Sequence, residues 1–93
     1  MLYIDEVLKG RDEHGCEVIT HVYYTYYLTQ KATDLCSKRG MINHINTHPN
    51  ITVKTKYKRN GVWHEGAVVR VVDNEYLRTD GNNIKSDNLG ELD

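Results

Sequence analysis

Asn60-Gly61 stands between two runs of β-forming residues, 51–57 (ITVKTKY) and 62–72 (VWHEGAVVRVV). Asn-Gly tolerates positive φ at both central turn positions, so it joins two strands in a tight antiparallel hairpin. Alternation along the first run places Ile51, Val53, Thr55 and Tyr57 inward and Thr52, Lys54, Lys56 and Lys58 outward. Gly66, inside the second run, signals a bulge or a close backbone approach.

The remaining elements follow from the same reading. Residues 2–9 (LYIDEVLK) form a strand ending at Gly10, residues 11–15 a charged turn, and residues 16–28 (CEVITHVYYTYYL) a second strand. In that strand Val18, Thr20, Val22, Tyr24, Tyr26 and Leu28 are expected to face the core. Glu17, Ile19, His21, Tyr23, Thr25 and Tyr27 are expected on the opposite side. A short turn through 31–35 precedes a helix capped by Ser37, whose Met41, Ile42 and Ile45 form one apolar stripe. Pro49 stops the helix. Asp73-Asn74 makes another tight turn before a last short strand over 75–79. The order β-β-α-β-β-β predicts an α+β fold: one domain over residues 1–93, a small antiparallel sheet with one helix packed on it.

Charge and composition narrow the function classes. Hydrophobic residues are 39% and charged residues 27%, an ordinary globular balance. The net charge of −1 argues against a protein dedicated to nucleic acid. The charge is uneven, however: Lys54, Lys56, Lys58, Arg59 and Arg70 cluster against Glu65 alone, while acidic residues dominate from Asp73 onward. The opening MLYIDEVLKG has neither the basic start nor the apolar stretch of a secretory leader, and there is no apolar run of membrane-spanning length. Cys16 and Cys36 do not make a disulfide framework, so a reduced, cytoplasmic protein is expected.

The last third, EGAVVRVVDNEYLRTDGNNIKSDNLGELD, resembles a family of small bacterial and phage proteins known as domain of unknown function 3892. The positions that carry the likeness are Tyr76, Leu77, Arg78, Thr79, Asp87, Asn88, Leu89 and Leu92, with SKRGMINHI matching the family's short helix. Asp93 stands where the family pattern has Pro, and residues 29–36 are longer than its norm. The resemblance implies a shared small α+β fold and a phage or mobile-element accessory role acting on a host protein. It implies no catalytic activity.

Physical chemistry gives the tail a structural reading of its own. Arg78 can pair in bidentate fashion with a carboxylate, and Asp87 and Asn88 favour turns closed by their own side chains. Leu89 and Leu92 can then cover the sheet, so Tyr76, Arg78, Thr79, Asp87, Asn88, Leu89 and Leu92 form a clasp. The competing readings are an anion pocket built from Arg78, Thr79 and Asn88, and a frayed acidic tail.

No constellation reaches a catalytic signature. His44 and His48 share a helix face but lack the further ligands that zinc needs, so they read as surface histidines and no metal or cofactor is expected. Cys16 and Cys36 read as ordinary small hydrophobes rather than nucleophiles. Lys54, Lys56, Lys58, Arg59 and Arg70 could contact phosphates, with the tyrosines stacking bases. Outward lysines are equally the usual guard against edge-to-edge sheet pairing. The leading expectation is a non-catalytic binding domain that forms a homodimer or higher oligomer, with Tyr23, Thr25 and Tyr27 at the contact. The alternative is a nucleic-acid or nucleotide binder using the basic hairpin.

Overall fold

A computed structural model describes residues 1–81 and 84–92. Asn82, Asn83 and Asp93, including the departure at the chain's end, lie outside the described residues. The elements are β1 (Leu2–Arg11), β2 (Glu17–Thr25), β3 (Asp34–Ser37), α1 (Lys38–Thr47), β4 (Val53–Arg59), β5 (Val62–Val68), β6 (Arg70–Val72) and β7 (Tyr76–Arg78). The fold is α+β: a five-stranded sheet in the order β3-β2-β1-β4-β5 with α1 against it, plus a two-stranded sheet of β6 and β7.

The sheet is mixed, not wholly antiparallel. β1 and β4 pair in parallel, Leu2 opposite Val53 and Ile4 opposite Thr55, while the other neighbours are antiparallel. Alternation reports which face a side chain takes, not the direction of the neighbouring strand. The direction comes from β3 and α1, which carry the chain from one side of β1 to the other before β4 begins. The segment expected to turn through 31–35 instead enters edge strand β3 at Asp34 and runs directly into the helix.

Two bulges reset the faces of the first hairpin. Ile4 pairs with Tyr24 and Glu6 with Tyr23, which leaves Asp5 extra in β1. Leu8 pairs with His21 and Lys9 with Ile19, which leaves Thr20 extra in β2. Ile19 and Val22, three apart, therefore both enter the core, which corrects the strict alternation that had set Ile19 on the outer side. They meet Leu2 and Ile4 of β1, Met41 and Ile42 of α1, and Leu77 of β7, with Ile45 packed at the margin. Ser37 Oγ accepts from Gly40 N at 3.0 Å and caps α1.

The Asn60-Gly61 turn forms as expected, with φ of 53° and 78°. Asp73 and Asn74 likewise adopt positive φ and close β6 onto β7, with Glu75 N bonded to Val72 O at 3.1 Å. The run 62–72 does not stay one strand. It leaves the main sheet at Val69, whose N–H reaches Val53 O at 2.8 Å, and continues as β6 in the second sheet.

Gly66 marks a third bulge, where Gly66 and Ala67 together oppose Thr55. Thr55 Oγ1 accepts from Ala67 N at 3.1 Å, and a Cβ on Gly66 would lie 2.2 Å from that oxygen and 3.2 Å from the Thr55 carbonyl. Gly66→Ala is therefore expected to destabilise by about 1–3 kcal/mol, because Thr55 must turn away and lose its bond. A urea midpoint equal to that of the parent would refute the close approach.

Candidate functional site

The face of the sheet opposite α1 is crossed by the connection between β2 and β3, residues 26–33. Two buried charged side chains hold it there. Lys56 is fully buried, and its Nζ donates to Tyr27 O at 2.9 Å, to Leu28 O at 3.1 Å and also to Gln30 O. The ammonium lies 4.1 Å from the centroid of the Trp63 ring and 5.9 Å from that of Tyr3. Asp5, the bulged residue of β1, is also fully buried. It accepts from Ala32 N at 2.8 Å, and Lys31 Nζ approaches its other oxygen at 3.5 Å. Ala32 is thereby drawn into the protein.

The neighbouring side chains on this face are paired as well. Tyr3 Oη donates to Glu65 Oε1 at 2.6 Å and Lys54 Nζ reaches Glu65 Oε2 at 3.3 Å. The bond to the carboxylate raises the Tyr3 phenol above its ordinary pKa, with burial adding to it, and lowers that of Glu65.

This arrangement corrects the outward lysine row. Lys56 is not a surface cation but the anchor of the 26–33 connection. Of the other basic residues, Lys54 pairs with Glu65 and Arg59 with Glu91, while Lys58 is exposed beside Trp63. Arg70 is half-buried and donates to Asp80 O at 2.6 Å. The structure thus spreads this group over several environments instead of collecting it into one patch.

The tyrosine strand divides similarly. Tyr23 is half-buried, and Thr25 is buried, its Oγ1 accepting from Tyr27 N at 3.3 Å. Thr25 therefore cannot serve as a contact residue, because the 26–33 connection covers it. Tyr26 and Tyr27, at the start of that connection, are 53% and 62% exposed. Strand alternation had assigned Tyr26 to the core side; β2 ends at Thr25 and releases it. Leu35 of β3 pairs across from Tyr23 and is 46% exposed.

The tail residues gather at the other end of the sheet. Arg78 is buried and forks onto Asp80, with Nε at 2.9 Å from one oxygen and Nη2 at 2.6 Å from the other. Its Nη1 donates to Ser86 O and Oγ. Asp87 accepts from Leu77 N and Ile19 N, each at 2.9 Å, and from Lys38 Nζ at 3.0 Å. Asn88 makes a parallel bridge to Arg78, and its side chain accepts from Gly90 N. Thr79 N donates to Asn88 O at 3.0 Å. Leu89 is buried, Leu92 packs against the core, and Tyr76 lies under Lys38. A cavity of about 150 Å³ is lined by residues of the 87–92 tail and of the β1–β2 hairpin.

His48 is exposed as expected, but His44 is not a plain surface histidine. Its Nε2 is buried without a hydrogen-bond partner, and its ring stacks on His48 at 4.5 Å. Among the described residues no group of three or more His, Cys, Asp or Glu side chains could hold a metal ion. Nor is any helix among them long and apolar enough to cross a membrane.

Sequence reasoning missed Asp5 and Tyr26. Asp5 carried a signal, a carboxylate within the apolar run LYI-D-EV, whereas the release of Tyr26 depends on where β2 ends. No protein-family model, no curated protein and no solved structure matches the chain.

Proposed function

We propose that this chain is a non-catalytic binding domain whose partner is a second copy of itself, docked through edge strand β3 and the adjoining tyrosines. The observation that carries the reading is the clamp on residues 26–33. Two buried charges are committed to fixing backbone whose first side chains, Tyr26 and Tyr27, are left in solvent. A tyrosine held in place loses little further freedom on binding, which is the property of a good interface anchor. Beside it, β3 is paired only to β2 and offers an open edge with Leu35 exposed. A two-fold contact joining two such edges buries both hydrophobic patches at once.

The alternative, phosphate binding by the 54–70 hairpin, has less support. Lys56 is buried, and Lys54, Arg59 and Arg70 each have a partner within the chain. Light scattering coupled to size exclusion at micromolar concentration tests the reading. The parent chain is expected to elute with the mass of two chains, and Tyr27→Ser with Leu35→Lys with the mass of one. A parent that stays monomeric defeats the proposal, as does a double variant that remains dimeric.

A further inference from the structure

A cavity of about 190 Å³ lies between α1 and the sheet, lined by Leu2, Tyr24, Tyr26, Cys36, Met41 and His44. On the helix side Gly40 also borders it and contributes no side chain. We propose that this cavity binds a small uncharged molecule of phenol size, seated with its hydroxyl on His44 Nε2. The cavity shares Tyr26 and Cys36 with the proposed dimer surface, but the inference rests on His44 and not on the dimer reading.

Three observations support it. The first is the unpartnered nitrogen. His44 Nε2 is buried in a half-buried side chain and has no hydrogen-bond partner. A buried polar atom without a partner is unfavourable, so the site is completed by a ligand group that bonds there. The second is the absence of charge. No Lys, Arg, Asp or Glu lines the cavity. Burial raises the Cys36 thiol and the Tyr24 phenol above their ordinary pKa values and lowers that of His44, so all three stay neutral near pH 7. A charged ligand would be desolvated with nothing to balance it.

The third is size and wall chemistry. An apolar cavity of about 150 Å³ suffices for benzene, and the walls here offer tyrosine rings and a thioether, both good partners for an aromatic ring. Leu2 and Met41 are buried and fix the floor, while the exposed Tyr26 lies at the rim.

Phenol and benzene are the probes, titrated into the full chain with ¹⁵N-labelled histidine and ¹³C-methyl-labelled methionine and observed by NMR. Phenol is expected to give saturable shifts at His44 Nε2 and at the Met41 methyl, and to bind about ten-fold tighter than benzene, the effect of one added hydrogen bond. His44→Leu should bring phenol down to the affinity of benzene. Cys36→Met, which keeps His44 but extends a longer side chain from the cavity wall, should abolish both. No saturable shift with phenol, shifts confined to other residues, or equal phenol affinity in the parent and His44→Leu would each overturn the proposal. Light scattering on the same samples keeps this result separate from the dimer test, because His44→Leu leaves Tyr27 and Leu35 in place.

Discussion

Lys56→Ala is expected to lower stability by about 3–5 kcal/mol, from buried carbonyls left without a donor together with the cavity that a large buried side chain leaves. The lysine is fully buried and supplies the donors that satisfy three carbonyls of the 26–33 connection. Alanine leaves those carbonyls facing a gap where the aliphatic stem and the Trp63 contact used to be. The loss should be local as well as global. Amide exchange across 26–33 should accelerate well beyond the change at β1, because the connection would lose its three-carbonyl anchor and keep the bonds to Asp5, Glu6 and Thr25. Lys58→Ala is the matched control, since Lys58 is exposed, and should stay within about 0.5 kcal/mol. Urea melts of both variants with hydrogen exchange on the first decide the matter. A loss under about 1 kcal/mol with protection of 26–33 intact would mean that Lys56 does not hold the connection.

Lys56 also shows where sequence pattern stops being informative. Alternation correctly put Lys54, Lys56 and Lys58 on one side of β4 and Val53 on the other. Its lysines make that side read as solvent-facing. What covers it is a stretch of chain, 26–33, with no periodicity to announce that it folds back over the sheet.

Local signals with local causes were legible. Asn60-Gly61, Asp73-Asn74, the Ser37 cap and the Gly66 bulge each depend on a few neighbouring residues, and each takes the expected form. Sheet direction and the face of Ile19 were not legible, because the first depends on the path of the crossover and the second on one inserted residue, Thr20. The contact was expected on the tyrosine strand itself, at Tyr23, Thr25 and Tyr27, but β2 lies inside the sheet between β3 and β1 and Thr25 is covered, while Tyr26 and Leu35 are exposed. The unpartnered nitrogen of His44 left no trace in spacing at all. His44 and His48 look alike in sequence and differ only in what packs beside them.

Asp87→Ala is expected to destabilise by about 3–5 kcal/mol, as for other buried charges that lose their partner. The side chain of Asp87 is 3% exposed and receives three donors from three different elements: Ile19 N of β2, Leu77 N of β7 and Lys38 Nζ at the start of α1. Removing the carboxylate strands two backbone N–H groups and a lysine that is itself only 18% exposed. Asparagine offers one acceptor oxygen in nearly the same shape, so Asp87→Asn should cost less than alanine but not recover the parent. Deleting residues 87–93 should exceed Asp87→Ala by about 1.5–3 kcal/mol, because Leu89 also leaves the core. Glu91→Ala separates this from general loss of tail charge. Glu91 meets Arg59 where both are more than half exposed, and such a pair contributes at most about 1 kcal/mol. Thermal melts across the four variants give a ranking: deletion most destabilised, then Asp87→Ala, Asp87→Asn and Glu91→Ala. If Glu91→Ala matched Asp87→Ala, the tail would be held by diffuse charge and not by the three-way carboxylate.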